Sequence, residues 1–225
     1  MNNANSQSPD QPEHYLTERV INALIREDVA GCQSESDIVE STRVPGSPEQ
    51  PDTWLRWELS TGTAWVPVQP ARFMQPWQWS GHPLMWQPAE SPGNVSALDH
   101  YSQILSCLAP IDNDESQGLV ATYLRECQIA ESHHHLCREE RERWFSELRQ
   151  QGQNFSDLPQ WPERLLHFDR LAAFLDHPFY PSARAKSGFD PAALSAYAPE
   201  FGRRFRLRWL AVPRGDVTVQ GQLPD

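Results

Sequence analysis

The sequence is almost without lysine, poor in cysteine and free of long apolar runs. Its 225 residues carry 19 basic and 30 acidic side chains, and Lys186 is the one lysine among the 19. The net charge of −11 argues against a general nucleic-acid or anionic-membrane binder, because either needs a strong positive field. No run of about 18 apolar residues is present, which excludes an ordinary transmembrane helix.

Several common signatures are also missing. The first residues show no basic start and no apolar stretch of a signal peptide, so a cytoplasmic location is expected. The four cysteines form no C-x-x-C pair, and without an export signal they are interpreted as buried thiols rather than a disulfide framework: Cys32, Cys107, Cys127 and Cys137. The sequence contains neither a P-loop, nor G-x-G-x-x-G, nor a G-x-S-x-G nucleophile motif.

What is present predicts a folded α+β domain. Nine tryptophans and an apolar fraction of 39% are too many for a disordered chain. Apolar positions at helical spacing predict a helix over Tyr15–Val29, and residues 32–52 are predicted to be a loop. Alternation around Thr61-Gly62 predicts a tryptophan-rich β-hairpin of Thr53–Leu59 and Thr63–Val68.

The second half of the chain is predicted to be mainly helical. A long helix over Ser116–Gln150 is expected to begin at a cap on Asp114 or Ser116 and to turn inward Leu119, Val120, Tyr123, Leu124 and Cys127. Later elements are a helix entered through Pro162, a short helix capped by Asp190 and an alternating strand over Arg203–Val212. This order gives a flexible tail at 1–14, a helical domain with the hairpin at 15–160, and the beginning of an antiparallel-sheet domain at 161–225.

Two features invite a functional interpretation but favour a structural one. His133 and Cys137 have the i, i+4 spacing of zinc ligands, with Cys127 nearby. However, the run REERERWFSELR is typical of a solvated helix face with i, i+4 ion pairs, so no metal site is predicted. The tryptophans of residues 54–86 could stack on a ligand, although packing against the helices is favoured.

The most concentrated chemistry lies in the loop 176–189, DHPFYPSARAKSGF. Within twelve residues it offers the imidazole of His177, the phenol of Tyr180, the guanidinium of Arg184 and the ammonium of Lys186. These donors suit an anion such as a phosphate or a polycarboxylate. From composition alone, a plain surface loop would remain the favoured interpretation.

The loop and the segment after it resemble a known family. His177-Pro178, Pro181 and Gly188-Phe189 match a G-H-P-x-H-P-x-x-K-x-R-x-G-F loop, and Tyr197–Phe201 matches the Y-x-P-E-F that follows it. Both motifs are similar to those of the IucA/IucC siderophore synthetases, which work without nonribosomal peptide synthetases. The opening HYLTERVINALIRED also resembles the first helix of that family.

The resemblance implies an ATP-dependent ligase. Such enzymes adenylate citrate or a related carboxylate, and an amine or alcohol then displaces AMP; Mg²⁺ accompanies the nucleotide. The resemblance implies that His177, Arg184, Lys186 and Tyr180 face the phosphates or the carboxylate. The sequence departs from the family where Asp176 replaces the leading glycine, Tyr180 replaces the second histidine, and the lysine and arginine positions are exchanged.

Family members are much longer than this chain, so the resemblance implies an N-terminal part, in which residues 161–225 begin an incomplete nucleotide- and carboxylate-binding domain. It is expected to be inactive alone, as a truncated piece or one half of a split enzyme that a C-terminal half or a second copy completes. The catalytic residues are not identified. The alternative is a non-catalytic binding or assembly module, a degenerate relative whose aromatic hairpin contacts another subunit.

Overall fold

A computed structural model describes residues 15–46, 51–72, 75–109, 113–152, 160–218 and 220–221. The predicted tail at 1–14 lies outside the described residues. The α+β class is confirmed, since five helices accompany a six-stranded antiparallel sheet. The helices are α1 Tyr15–Arg26, α2 Tyr101–Leu108, α3 Asp114–Gln150, α4 Trp161–Leu175 and α5 Pro191–Tyr197. The strands are β1 Asp37–Glu40, β2 Thr53–Leu59, β3 Gly62–Pro70, β4 Trp77–Trp79, β5 Leu84–Pro88 and β6 Ser96–Leu98.

The predicted hairpin is confirmed and forms the centre of the sheet. Strands β2 and β3 pair antiparallel, with Leu59 opposite Gly62 at the turn. The sheet runs in the order β1-β2-β3-β5-β6, and β4 pairs with the far end of β3. At Gly62 a Cβ atom would lie 2.3 Å from the carbonyl oxygen of Gln87, so only glycine lets β5 approach this closely.

We call the sheet with α1 and α2 the tryptophan layer. Its main apolar cluster joins Ile21 and Ile25 of α1 to Trp57 and Trp86 of the sheet and Ile104 of α2. Trp54 and Trp57 are both fully buried, and their indole N–H groups donate to backbone carbonyls of Pro51 and Ala30. The tryptophans here therefore pack as core residues.

The N-cap of helix α3 lies one residue before the first predicted cap, Asp114, and three before the second, Ser116. Asn113 is the N-cap: its side chain accepts the Ser116 N–H, and the Ser116 hydroxyl accepts the Asn113 N–H. The expectation that Leu119 faces inward is wrong, because its side chain is 66% exposed, whereas Cys127 is fully buried. Residues 113–119 are exposed apart from the half-buried Ser116, so the buried part of α3 begins later in the helix.

The C-terminal half of α3 forms a second core with the following segments. Trp144 and Leu148 of α3 pack with Phe174 of α4, Leu194 of α5 and Phe201 of a 3-10 turn, Pro199–Phe201. The helix through Pro162 and the short helix capped by Asp190 are both confirmed. This core supports the irregular segment between α4 and α5.

Two further predictions need correction. Residues 32–52 are more than a loop, because β1 pairs with β2. The strand predicted over Arg203–Val212 does not form. Its backbone has no partner strand among the described residues, and Trp209 is 90% exposed. No described helix has the length and apolar character needed to cross a bilayer.

Candidate anion-binding site

The loop 176–188 starts with a backbone conformation that normally needs glycine. Asp176 follows α4 with φ 63° and ψ 179°, a region that costs other residues free energy. Its carboxylate accepts hydrogen bonds from the His177 N–H at 2.7 Å and the Tyr15 hydroxyl at 2.9 Å. The aspartate thus keeps a glycine-like backbone turn while its side chain ties the loop to α1.

Two arginines of α1 hold the loop by its backbone. Arg19 Nη1 donates to the carbonyls of His177 at 2.6 Å and Tyr180 at 3.2 Å. Arg26 Nη2 donates to the carbonyl of Phe179 at 3.1 Å. Charge-assisted bonds to three successive parts of the loop fix its path across α1.

Glu200 is the buried centre of the loop's cationic half. Its carboxylate is 1% exposed, and Oε1 lies 3.0 Å from Lys186 Nζ and 3.7 Å from Arg184 Nη1. Burial opposes its ionisation, but hydrogen bonds from its own backbone N–H and from Lys186 lower the pKa of Glu200 below the usual range. The site therefore contains a carboxylate that stays ionised and orients two cations.

Arg184 is itself almost completely buried, at 5% exposure. Its Nη2 donates to the Phe174 carbonyl at 2.5 Å, and its Nε lies 3.6 Å from Asp176 Oδ2. That Nε–H has no hydrogen-bond acceptor among the described residues. Arg184 is thus clamped between two carboxylates and a helix C-terminus and retains one unused donor.

Helix α3 closes the site from behind with a pair of residues four apart. His133 Nδ1 lies 3.0 Å from the Arg184 carbonyl oxygen, and Cys137 Sγ donates to Glu200 Oε1 at 3.3 Å. Burial, reinforced by the nearby carboxylate of Glu200, raises the pKa of the Cys137 thiol to about 11, so it remains a protonated donor. The i, i+4 spacing here serves the loop, and the described residues contain no group of three His, Cys, Asp or Glu that could hold a metal ion.

His177 and Tyr180 form the exposed half of the loop. His177 Nδ1 accepts the backbone N–H groups of Phe179 at 3.3 Å and Tyr180 at 3.0 Å. This use of Nδ1 places the proton of the neutral ring on Nε2, where it can donate to an oxyanion. The Tyr180 ring is 6.3 Å from the imidazole and the residue is 58% exposed.

The four predicted residues therefore lie on one loop but in two settings. Arg184 and Lys186 meet on Glu200, whereas His177 and Tyr180 meet each other at the surface. Sequence reasoning missed Glu200, Arg19 and His133 as parts of the site. The Y-x-P-E-F motif is the signal that could have pointed to Glu200. Arg19 of α1 and His133 of α3 come from distant parts of the chain, so no local pattern connects them with the loop.

Comparisons with known proteins identify sequences similar to the segment that contains the loop. The model of the IucA / IucC family matches residues 165–224, which include the loop, Glu200 and the basic C-terminal segment. This is the family that the two motifs resemble. The resemblance predicted from the two motifs is thereby confirmed.

Relatives extend the likeness beyond that segment. Aerobactin synthase of Escherichia coli is 25% identical over 91% of this chain, and the uncharacterized protein y4xN of Sinorhizobium fredii is 28% identical over 70%. The L-2,3-diaminopropanoate–citrate ligase of Staphylococcus aureus is 49% identical over 39 residues, or 17% of the chain. The matched regions make up 29%, 28% and 7% of these three relatives, so this chain spans less than a third of the length of each.

Proposed function

We propose that this chain is the N-terminal part of an ATP-dependent siderophore synthetase. The complete enzyme would adenylate citrate or a related carboxylate and condense it with an amine or an alcohol. One observation carries the proposal: the glutamate of one family motif, Glu200, holds both cations of the other, Arg184 and Lys186. These contacts between the two motifs hold the cations in fixed positions, as a preorganised anion site requires.

The reaction explains why fixed cations are useful. A carboxylate oxygen attacks the α-phosphorus of ATP and pyrophosphate leaves; the amine or hydroxyl then attacks the acyl carbon and AMP leaves with the bonding pair. Both steps move negative charge onto phosphate oxygens, which positioned donors stabilise. Phosphate oxygens and water are preferred ligands of Mg²⁺, so the ion would arrive with the nucleotide.

The loop residues fit different parts of this task. The Lys186 side chain is 36% exposed and bonded to Glu200, so its ammonium can reach an anion while keeping its orientation. His177 can donate from Nε2 at the open surface, close to Tyr180. Arg184 is too enclosed to bind a large ligand and acts as a positioning residue for the loop.

The exposed apolar surface supports completion by further polypeptide. Three residues of the C-terminal segment, Leu207, Trp209 and Leu210, are 66%, 90% and 87% exposed. Burial of such side chains is favourable by about 1.5–3 kcal/mol each. We propose that a C-terminal half or a second copy covers this surface, in the cytoplasm, and that the chain alone has no ligase activity.

The test is an ATP–hydroxamate assay with citrate, run on this chain alone and mixed with a C-terminal half taken from aerobactin synthase. Activity is expected only in the mixture, and Lys186→Glu and His177→Ala should reduce its apparent affinity for ATP or citrate. Arg125→Glu, an exposed change on α3 outside the loop, is the matched control. Robust turnover by the lone chain would overturn the proposal that it is a part.

A second candidate has one observation in its favour. The carboxylate of Asp176 stands where the family has glycine and lies 3.6 Å from Arg184, which lowers the positive potential of the loop. A non-catalytic assembly module could keep the fold with such a change. The neighbouring reading frame discriminates: a continuation encoding the missing region supports the ligase, and its absence supports the module.

A further inference from the structure

A cleft of about 320 Å³ opens along one face of α3, next to the loop but outside both family motifs. The α3 side of the cleft is built from positions three or four residues apart: His134, Arg138, Arg141, Phe145 and Arg149. Phe174 at the end of α4 and the buried Arg184 line it on the other side. We call this space the arginine cleft.

Positive charge predominates in the arginine cleft, although the whole chain carries −11. Four arginines line it, with Glu142 as the acidic residue among its lining side chains. Arg138 Nε is bonded to that glutamate at 3.1 Å, an i, i+4 pair of the kind the sequence predicts. The charges of Arg138 and Glu142 therefore cancel, and neither adds to the net charge of the cleft.

The remaining arginines keep unused donors. Arg141 and Arg149 have no carboxylate within 4 Å among the described residues, and Arg141 lies over the Phe145 ring at 5.7 Å. Arg184 is different, because its charge is balanced by Asp176 and Glu200, although its buried Nε–H lacks a hydrogen-bond acceptor in the described structure. The eight positions from Arg141 to Arg149 span about 12 Å of helix, so the free guanidinium groups suit an extended anion better than a single small one.

The wall beside these arginines stays neutral. The His134 ring stacks on Tyr15 at 3.6 Å between centroids. Burial, with Arg184, His135, Arg19 and Arg138 nearby, lowers the pKa of His134 to about 4, so the imidazole is uncharged at neutral pH. It offers a flat hydrogen-bonding surface without an opposing negative charge.

We propose that the arginine cleft binds a multivalent oxyanion, a polyphosphate or a polycarboxylate, through Arg141 and Arg149. Guanidinium groups match both kinds of oxyanion with paired hydrogen bonds, and the rings of Phe145 and Phe174 line the same cleft. A cleft of this volume is large enough for a small ligand. The identity of the natural anion rests on the proposed function, but binding by the described residues does not.

The experiment is calorimetric titration of the 225-residue chain with tripolyphosphate, ATP and citrate at low ionic strength. The affinity is expected to fall at least about tenfold in the double variant Arg141→Ala/Arg149→Ala, because each charge-assisted hydrogen bond contributes substantially to the binding free energy. Arg125→Ala, another exposed arginine of α3, should bind like the parent. Both changed positions are exposed, so circular dichroism should show an intact fold.

The anions that bind in this titration show which kind of site the arginine cleft is, or that it is not a site. Binding of tripolyphosphate and ATP but not citrate identifies a phosphate site, and the reverse identifies a carboxylate site. Absence of binding to all three, or equal weakening by Arg125→Ala, overturns the arginine cleft. If the cleft binds but Lys186→Glu and His177→Ala leave the completed ligase unchanged, the loop assignment fails while the cleft remains.

Discussion

The tryptophan layer and the region around Glu200 are buried by opposite means. In the tryptophan layer, side chains such as Trp57, Leu55 and Ile104 are buried against one another, and the indole N–H of Trp57 donates to a backbone carbonyl. Of the six buried polar residues, five lie on α3, the loop or the 3-10 turn after α5: His133, Glu140, Ser182, Arg184 and Glu200. The first region is a scaffold. The second, which we call the polar junction, holds charged side chains in fixed orientations, and their burial lowers the stability of the fold.

The largest expected effect is a loss of stability caused by a change in the tryptophan layer. Trp57→Ala removes a fully buried indole and should lower the free energy of unfolding by about 3–5 kcal/mol. Urea unfolding followed by circular dichroism measures this. Trp161→Ala is the matched control, because that tryptophan is 66% exposed, and a comparable loss there would contradict the contrast.

The next effect tests the buried charge. Glu200→Gln should cost about 2–3 kcal/mol, less than a fully enclosed ion pair because Lys186 is partly exposed. The double variant Glu200→Gln/Lys186→Met should cost less than the sum of its single changes. Strict additivity in this double-mutant cycle would show that the two side chains do not interact.

A smaller effect separates the backbone of Asp176 from its side chain. Asp176→Ala and Asp176→Gly both lose the bonds to Tyr15 and to the His177 N–H, but only glycine relieves the backbone at φ 63°. The glycine variant should therefore be more stable than the alanine variant by about 1–2 kcal/mol. Equal stability of the two in urea unfolding would mean that this conformation is not strained.

The smallest effect is a pH dependence. The pKa of His134 is lowered to about 4 by burial and nearby cations, from an unfolded value of 6.5. The unfolded state then binds the proton first, so stability is complete above pH 6.5 and decreases as the pH falls towards 4. Urea midpoints between pH 7.5 and 5 should fall less in His134→Gln than in the parent, and parallel curves would contradict the assignment.

The sequence predicts much of the scaffold because its signals are local. The Thr61-Gly62 turn lies between alternating residues, and both the cap at Asp190 and the first-turn Pro162 act within a few positions. Strand β1 escapes prediction because Asp37 and Glu40 are polar and it pairs at the sheet edge. The alternation of Arg203–Val212 gives a strand pattern, but a strand needs a partner that the described residues do not supply.

The polar junction is only partly predictable. The loop chemistry and the two motifs are visible along the chain, so Arg184 and Lys186 can be named in advance. That they share Glu200, and that His133 and Cys137 contact this same unit, depends on the packing of α3 against the loop. The arginine cleft is concealed for the same reason, because its residues resemble an ordinary solvated helix face.

The most direct test of the contrast between scaffold and polar junction is backbone hydrogen exchange with and without tripolyphosphate. Anion binding should slow exchange in residues 134–149 and 176–188 and leave the strands of residues 53–88 unchanged. Protection of the tryptophan layer with none in the other two segments would contradict the account, because anion binding would then reside in the scaffold.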